Sequence, residues 1–347
     1  MIGVDGTLTM NILLNCLPES SDGAFDSLFT PLLDRPFLQG VVEHLVQSGA
    51  RTIDVIAATD DRRVRALLGD GTRWGCEMRV HHTDASLLVA MRDIITRFEM
   101  HGPVLMASGH TLPLVDLSAG TPPPLQRAPT VYVDAARRAW TGWAWLPRDG
   151  AATLARLAST ASLAKRLLAR AGVSDAIVRV PHVLAVGSAA DLLEAHRAVL
   201  TAVCPTWQRA AREVSPGVWV SRNANLDPAT HVVAPVFIGA GAHVSAGTFG
   251  PYAVAAERCV VDHAAGVSNA TVMARTYLGP SLTLMDAVAS GRTLYSVRHR
   301  AAVEVGDWTF MHALTDEGAN RWLDRWFTRL RAQPAGGASQ TAPVPAD

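Results

Sequence analysis

Six histidines in this sequence stand where an imidazole could bind a transition metal or act as an acid or base: His81, His82, His110, His231, His243 and His263. His110 follows an apolar segment and Gly109, which places it at the end of a predicted strand. In the alternative interpretation, His110 lines a pocket without catalytic duty, and the other five are solvated positions on a strand end or on flat coil faces. We favour this second interpretation for all six.

A six-residue repeat between 220 and 284 determines which elements position these residues. Aliphatic side chains recur at every sixth position, and after one break they resume with Gly266 on a vacant position: Val220, Leu226, Val232, Ile238, Val244, then Val254, Val260, Val272, Leu278 and Leu284. A period of six is neither helical nor that of a simple strand. It suits a chain that turns a corner every six residues around a prism-shaped core, with about four coils. This pattern resembles the hexapeptide repeat of the left-handed parallel β-helix.

The chain before the repeat alternates predicted strands with predicted helices, including strands over 52–58 and 104–107 and helices over 85–98, 150–171 and 190–203. This order predicts an α/β domain with a Rossmann-like, mainly parallel sheet. We therefore divide the chain into an α/β domain (10–203), a linker (204–217), a β-helix (218–290), an extension with an amphipathic helix (291–331) and a disordered tail (332–347).

Composition excludes several functional classes. The 31 basic and 31 acidic residues balance, so we expect no attraction to nucleic acid. Residues 1–17 contain no Lys or Arg, which argues against a secretory signal. The four cysteines are far apart and form no C-x-x-C pair, so we interpret them as buried thiols of a cytoplasmic protein and not as disulfides or zinc ligands.

Three local motifs, in this order before the repeat, carry a family resemblance: TPLLDRPFL at 30–38, VLMASGHTL at 104–112 and AVGSAADL at 185–192. Together with the following β-helix they resemble the sugar-1-phosphate nucleotidyltransferases (sugar-nucleotide pyrophosphorylases), in particular the mannose-1-phosphate guanylyltransferase type. The resemblance covers about residues 10–290. It implies an enzyme that joins a sugar phosphate to the α-phosphorus of a nucleoside triphosphate and releases pyrophosphate, with carboxylates that hold Mg²⁺.

The resemblance also implies where the nucleotide and sugar pocket lies: Asn15, Ser27, Gly109, His110, Thr141, Gly142, Ala185 and Gly187. The charged groups that the family uses are absent from these positions. Ser27 stands at the lysine position, His110 and Ala185 stand at the two metal aspartates, and the Gly-rich loop is missing. Asp116 or Asp134 could replace one carboxylate if the placement slips. Imidazole and methyl groups are poor magnesium ligands, so the sequence predicts no metal site.

Three functions therefore stay open. The preferred one is a catalytically impaired homologue, a pseudoenzyme that binds a nucleotide or nucleotide-sugar and regulates bacterial nucleotide-sugar or surface-polysaccharide synthesis. The second is an active nucleotidyltransferase with a rearranged phosphate site, using Arg35 or Arg62 and Mg²⁺. The third is an acyltransferase, because hexapeptide acyltransferases have a similar β-helix and use a histidine between coils as general base. The spacings of 12 and 20 residues between His231, His243 and His263 do not match a coil of about 18 residues.

As a helix, the segment 320–331 would have one apolar face rich in aromatic residues and one basic face. Trp322, Leu323, Trp326, Phe327 and Leu330 share one helical face, and three arginines line another. Such a helix can lie on a membrane surface or dock on a protein partner, or it can cover the open end of the β-helix, which is the interpretation we prefer. The resemblance further implies a homo-oligomer formed through flat faces of the β-helix.

Overall fold

The computed structural model describes residues 10–18, 24–100, 102–117, 129–147, 165, 167–168, 177–204 and 206–314. In these parts of the chain the helices are α1 (Phe37–Gln47), α2 (Arg62–Leu68), α3 (Leu87–Arg97) and α4 (Ala189–Leu200), and a 3₁₀ turn spans Thr72–Trp74. Of the helix predicted over 150–171, only Lys165, Leu167 and Leu168 are described, and they are helical. The segment 320–331 and the tail 332–347 lie outside the described residues. No helix of the described part is long and apolar enough to cross a membrane.

The described residues of the first half of the chain form eleven strands: β1 (Asn11–Cys16), β2 (Pro31–Leu32), β3 (Arg35–Pro36), β4 (Thr52–Ala58), β5 (Glu77–Thr83), β6 (Val104–Ser108), β7 (Thr111–Pro113), β8 (Thr130–Asp134), β9 (Trp140–Leu146), β10 (Ile177–Val180) and β11 (Val183–Ala185). Seven of them build one sheet in the order β10-β8-β9-β6-β1-β4-β5. β1 runs parallel to β4 and β6, β4 parallel to β5, and β8 parallel to β10, whereas β9 is antiparallel to both neighbours. The predicted α/β domain with a mainly parallel sheet is confirmed.

Both faces of this sheet are covered, and this explains its continuous apolar strands. In β1, Ile12 and Leu14 belong to the core shared with α1, α2 and α4, whereas Leu13 packs with the buried residues of α3. Local capping fixes two helix starts. The Asp61 side chain accepts a hydrogen bond from the backbone N–H of Arg63 at the start of α2, and the Ser188 side chain accepts one from the N–H of Asp191 at the start of α4.

The second half is a parallel β-helix of three faces. The first face contains β13 (Val218–Ser221), β16 (Val236–Ile238), β19 (Ala253–Ala255), β22 (Thr271–Val272) and β25 (Ala287–Ser290). The second face contains β14 (Asn225–Leu226), β17 (His243–Val244), β20 (Val260–Val261) and β23 (Thr276–Leu278). The third face contains β15 (His231–Val232), β18 (Thr248–Phe249), β21 (Gly266–Ser268) and β24 (Thr283–Met285). These parallel ladders confirm the β-helix and its estimate of about four coils.

Four antiparallel strands flank the coils. β12 (Ala211–Ser215) pairs with β13 before the first coil. After the last coil, β26 (Thr293–Ser296) and β27 (Ala301–Glu304) continue the first face beyond β25, and β28 (Met311–Ala313) pairs with β23. Antiparallel additions of this kind satisfy backbone groups that the terminal coils would otherwise expose.

The repeat was assigned correctly at its start and one residue out of phase in the middle. Val220, Leu226, Val232, Ile238 and Val244 pack in the inner core, as expected. The next inward residues are Phe249, Ala255 and Val261, so the predicted Val254 and Val260 are wrong as inward positions, and Val267, not Gly266, fills the vacant position. The cause is one shortened side of the coil: the inward residues Val244 and Phe249 are five positions apart instead of six. The prediction regains the observed phase at Val272, after a second short side.

The two halves share one core through the first face of the β-helix. One outward residue of each strand faces α4 and the α/β domain, and these residues stand in register: Trp219, Phe237, Val254, Thr271 and Val288. The stretch expected as a linker, 204–217, is packed as well. The Trp207 ring stacks on Phe37 at a centroid distance of 6.0 Å, and the backbone N–H of Ala210 donates to Asp34 Oδ2 at 2.7 Å. α4 and this stretch therefore form a continuous contact between the α/β sheet and the coils.

Candidate functional site

The candidate site lies where β1 and β6 end side by side in the middle of the sheet. Strand order reverses here: β4 and β5 follow β1 on one side of it in the sheet, whereas β6 lies on the other side. Asn15 pairs with Ser108 across the two strands, and the backbone N–H of Gly109 donates to the carbonyl of Asn15 at 2.8 Å. In open α/β sheets, ligands bind in the crevice outside the carboxyl ends of the strands at such a reversal of strand order. The topology therefore marks this end of the sheet as the place for a ligand.

His110 is held on both ring nitrogens. Its Nε2 lies 2.8 Å from the carbonyl oxygen of Leu17, which can only accept, so Nε2 carries the proton. Nδ1 is then the acceptor, and the hydroxyl of Ser27 donates to it at 2.6 Å. The side chain is almost fully buried, because the residue is only 4% exposed. Both ring nitrogens of His110 are thus engaged, and its hydrogen-bond partner in the pocket is Ser27.

Two glycines allow the close approach of the strands around this histidine. A Cβ on Gly109 would stand 2.9 Å from Leu28 Cδ2 and 3.1 Å from the Asn15 carbonyl oxygen. Gly142 has a φ of +81°, and a Cβ there would stand 2.7 Å from Ser108 Cβ. The neighbouring Thr141 is buried and donates its hydroxyl to the carbonyl of Tyr132 at 2.9 Å. Both glycines are therefore required by space.

The remaining expected pocket residues reach the same end of the sheet through β11. Ala185 pairs with Thr111 of β7, whose hydroxyl donates to the carbonyl of Thr141. A Cβ on Gly187 would lie 3.6 Å from Ser27 Cβ, and the Gly187 carbonyl accepts from the N–H of Phe25 at 3.3 Å. The structure thus brings all eight sequence-derived positions to one end of the sheet. Their role as a nucleotide and sugar pocket stays a prediction.

Carboxylates do not converge on this site in the described part of the chain, where no group of three or more His, Cys, Asp or Glu side chains could hold a metal ion. Oδ1 of Asp134 accepts from the backbone N–H groups of Ala136 and Arg137. Asp116 is exposed and acts on His44, whose pKa is lowered by burial and partly restored by that carboxylate. Neither aspartate replaces a lost ligand beside His110.

Of the two cations proposed for a rearranged phosphate site, one is engaged by a carboxylate and the other is exposed. Arg35 Nη1 donates to both carboxylate oxygens of Glu43, at 2.9 and 2.8 Å. Arg62 is exposed at the first position of α2. A different arginine, Arg63, contacts the loop that carries Ser27, but it is paired with Asp26 at 2.8 Å and with Asp61 at 3.0 Å. The positive charge of Arg63 is therefore balanced locally by two carboxylates.

The histidines of the β-helix do not form a common site. His231 lies on the third face and His243 on the second, and burial lowers the pKa of His243. His263 is exposed, and its Nδ1 lies 2.9 Å from Asp262. His231 and His263 are exposed on coil faces, as expected, whereas His243 is half-buried and not solvated as expected. None of the described contacts favours an acyltransferase.

His81 corrects the expectation of a solvated strand end. Its Nε2 lies 2.7 Å from Oδ1 of Asp54, which is 1% exposed, and Arg79 contacts the other oxygen at 3.1 Å. Burial raises the pKa of Asp54, and the two basic partners oppose that effect. A buried carboxylate needs such partners, and this draws His81 inward. The neighbouring His82 is exposed, as expected. The position of Asp54 inside a continuous apolar strand could have indicated that it is buried, but not which residues pair with it.

Comparisons with solved structures give a likeness of fold. No protein-family model matches the sequence, and no curated protein matches it. Solved structures similar to this chain include the crystal structure of a protein from Bacillus anthracis named as a glucose-1-phosphate thymidylyltransferase, in complex with sucrose. The TM-score is 0.44 at 14% sequence identity, and the match covers 54% of this chain and 94% of that chain. Nearly half of this chain lies outside the match.

Proposed function

We propose that this chain is a homologue of the sugar-1-phosphate nucleotidyltransferases that binds a nucleotide or nucleotide-sugar without transferring nucleotides. Its role would be regulatory, in bacterial nucleotide-sugar or surface-polysaccharide synthesis. The proposal is supported by the three sequence motifs and by the site at the carboxyl ends of β1 and β6. The observation that carries it is the environment of His110, which is 4% exposed and bound on both ring nitrogens by Ser27 and Leu17.

The residues around His110 do not fit a magnesium site. Magnesium prefers near-octahedral oxygen ligation, in which carboxylates supply the charge. Here an imidazole stands at the expected ligand position, and its Nδ1 lone pair is occupied by the Ser27 hydroxyl. Nucleotidyl transfer depends on neutralising the phosphate charges, and losing one preorganised charge-stabilising group commonly costs about a hundredfold to a thousandfold in rate. Several such losses at one site would leave binding without this chemistry.

Binding itself asks less of the site. A nucleotide can be held by backbone N–H groups, hydroxyls and close packing against small residues. Gly187 is a neighbour of Ser27: a Cβ placed on Gly187 would be in ordinary van der Waals contact with Ser27 Cβ, at 3.6 Å. A larger side chain at Gly187 would fill the space beside Ser27 without straining the backbone of residue 187.

Calorimetric titration with nucleoside triphosphates and nucleoside diphosphate sugars tests the proposal, with and without Mg²⁺. We expect binding that does not require the metal, and no formation of nucleoside triphosphate from a nucleotide-sugar and pyrophosphate. Gly187→Val should weaken binding at least about tenfold, a loss of about 1.4 kcal/mol in binding free energy. Gly306→Val is the matched control, because a Cβ at Gly306 has nothing within 4 Å.

Two results would contradict this function. Metal-dependent pyrophosphorolysis that Gly187→Val abolishes would establish the active nucleotidyltransferase instead. If the folded protein, checked by its melting transition, binds none of the nucleotides tested, the proposed nucleotide binding is wrong.

We also propose that copies of this chain associate through the third face of the β-helix. Its outward residues stand in register, and three of the four are exposed: His231, Thr248, Gly266 and Thr283. The first face is covered by the α/β domain, so the third offers a flat surface made of small or polar residues. Light scattering at several concentrations measures the association, and Thr248→Arg should shift it toward the monomer. A monomeric wild-type protein at all concentrations would contradict association.

A further inference from the structure

The pair formed by Ser27 and His110 is more than a substitute for lost charges. The Ser27 hydroxyl donates to His110 Nδ1 at 2.6 Å, and the opposite nitrogen donates to the Leu17 carbonyl at 2.8 Å. A hydroxyl bound to an imidazole that a third group orients is the arrangement of an activated serine nucleophile. Here a backbone carbonyl takes the orienting part that a carboxylate has in a triad.

Access to the two members differs in the way that such a reaction needs. His110 is buried, whereas Ser27 is only half-buried and lies in the loop above the ends of β1 and β6. The base is thus shielded from water, whereas Ser27 is partly exposed to solvent. Gly187 is a neighbour of Ser27 and has no side chain, so space is left beside the serine.

The start of α4 lies near Ser27. A Cβ placed on Gly187 would lie 3.6 Å from Ser27 Cβ, and α4 begins two residues after Gly187, at Ala189. The N-terminal end of a helix carries partial positive charge, which favours a developing oxyanion. Asp191 in this first turn is itself engaged, by the Ser188 hydroxyl at 2.6 Å and by Arg137 at 2.6 Å.

We propose that Ser27 and His110 form a catalytic pair that cleaves small carboxylic esters through an acyl-serine. Ser27 Oγ bonds to the ester carbonyl carbon while its proton moves to His110 Nδ1. The bond between the carbonyl carbon and the alcohol oxygen then breaks, and the alcohol leaves with that proton. Water repeats the sequence on the acyl-serine, so that the carboxylic acid is released and Ser27 regains its proton. The reaction requires no nucleotide, although it uses two residues of the proposed nucleotide pocket.

A fluorophosphonate probe tests the pair in the full-length protein, because it forms an O–P bond with an activated serine as fluoride leaves. We expect mass spectrometry to find the label on Ser27. Hydrolysis of p-nitrophenyl acetate should fall about a hundredfold or more in Ser27→Ala and in His110→Gln, the range for loss of general base catalysis. Ser86→Ala is the control, since Ser86 is exposed and makes no capping bond at the start of α3.

The wild-type labelling decides the matter even if a variant fails to fold. Label on another serine, or no label on a protein whose melting transition is intact, would overturn the proposal. Ester hydrolysis that persists in a folded Ser27→Ala variant would also overturn it. Label on Ser27 together with loss of hydrolysis in both variants, at unchanged melting temperature, would support it.

Discussion

The imidazole of His196 joins the α/β domain to the β-helix through Thr271. Its Nε2 accepts a hydrogen bond from the backbone N–H of Leu33 at 3.1 Å, so Nδ1 carries the proton and donates to Thr271 Oγ1 at 2.9 Å. His196 and Thr271 are 2% and 1% exposed. Thr271 is the polar member of an otherwise apolar row on the first face, and this bond satisfies it. One neutral side chain therefore connects the β2–β3 hairpin, α4 and the coils.

Removal of the Thr271 hydroxyl should destabilise the protein. Thr271→Val leaves the buried N–H of His196 without an acceptor, and we expect a loss of about 1–3 kcal/mol in the free energy of unfolding. Thr283→Val is the matched control, because Thr283 also faces outward on a coil but is exposed. Its effect should stay within about 0.5 kcal/mol. Urea unfolding measures both; equal effects would show that the bond contributes no stability.

His196 also predicts a pH dependence of stability. Burial lowers its pKa from 6.5 to about 3, so the folded protein keeps the ring neutral where the unfolded chain binds a proton. The stability is fully present above pH 6.5 and is lost as the pH falls toward 3, by up to about 1.4 kcal/mol per pH unit. His196→Gln, which can still accept from Leu33, should show a shallower decline over that range. Parallel curves for the two proteins would contradict the assignment.

The fold could be predicted from local pattern, but its phase could not. The six-residue period identified the coils because inward positions accept mainly aliphatic residues. At 254–255 and at 260–261, however, two adjacent residues are apolar, so the sequence does not show which of the two points into the coil. Val254 packs on the α/β core and Ala255 fills the coil. The choice depends on a five-residue side, which the packing between domains selects.

The candidate site shows a similar limit. The resemblance assigned Asn15 and Gly109 to one pocket, and the parallel pairing of β1 with β6 brings both to the same edge of the sheet. The pairing of Ser27 with His110 joins residues 83 positions apart through a loop with no periodic signal. The sequence also gave no sign that His196 of the predicted helix binds Thr271, which lies 75 positions later. Such contacts depend on tertiary packing, which composition and spacing do not encode.

A glycine pair separates crowding from backbone conformation at the site. Gly142 and Gly49 both have positive φ, +81° and +97°, but only Gly142 would place a Cβ against a neighbour, Ser108 Cβ at 2.7 Å. Gly49→Ala should cost about 1 kcal/mol in the free energy of unfolding, as expected for the backbone term alone. Gly142→Ala should cost about 1–3 kcal/mol more, since the sheet must shift to admit the methyl group. Thermal and urea unfolding check the order, and equal costs would mean that β9 has room to move.

Phe237 tests whether the two halves unfold as one unit. Its ring is fully buried, and it packs in the core of the α/β domain although its strand belongs to the β-helix. Phe237→Ala should cost about 3–5 kcal/mol, the usual effect of removing a buried aromatic ring. Phe310→Ala is the control, because Phe310 is 49% exposed and should change the free energy of unfolding by no more than about 0.5 kcal/mol.

The form of the transition is as informative as its midpoint. Because the first face and the α/β sheet share one core, we expect wild-type protein to unfold in a single transition by tryptophan fluorescence and by circular dichroism. Phe237→Ala should lower that midpoint for both probes together. If the variant instead loses one signal early and keeps the other at the wild-type midpoint, the halves are stabilised separately, and the row at Trp219, Phe237, Val254 and Val288 is a contact between independent domains.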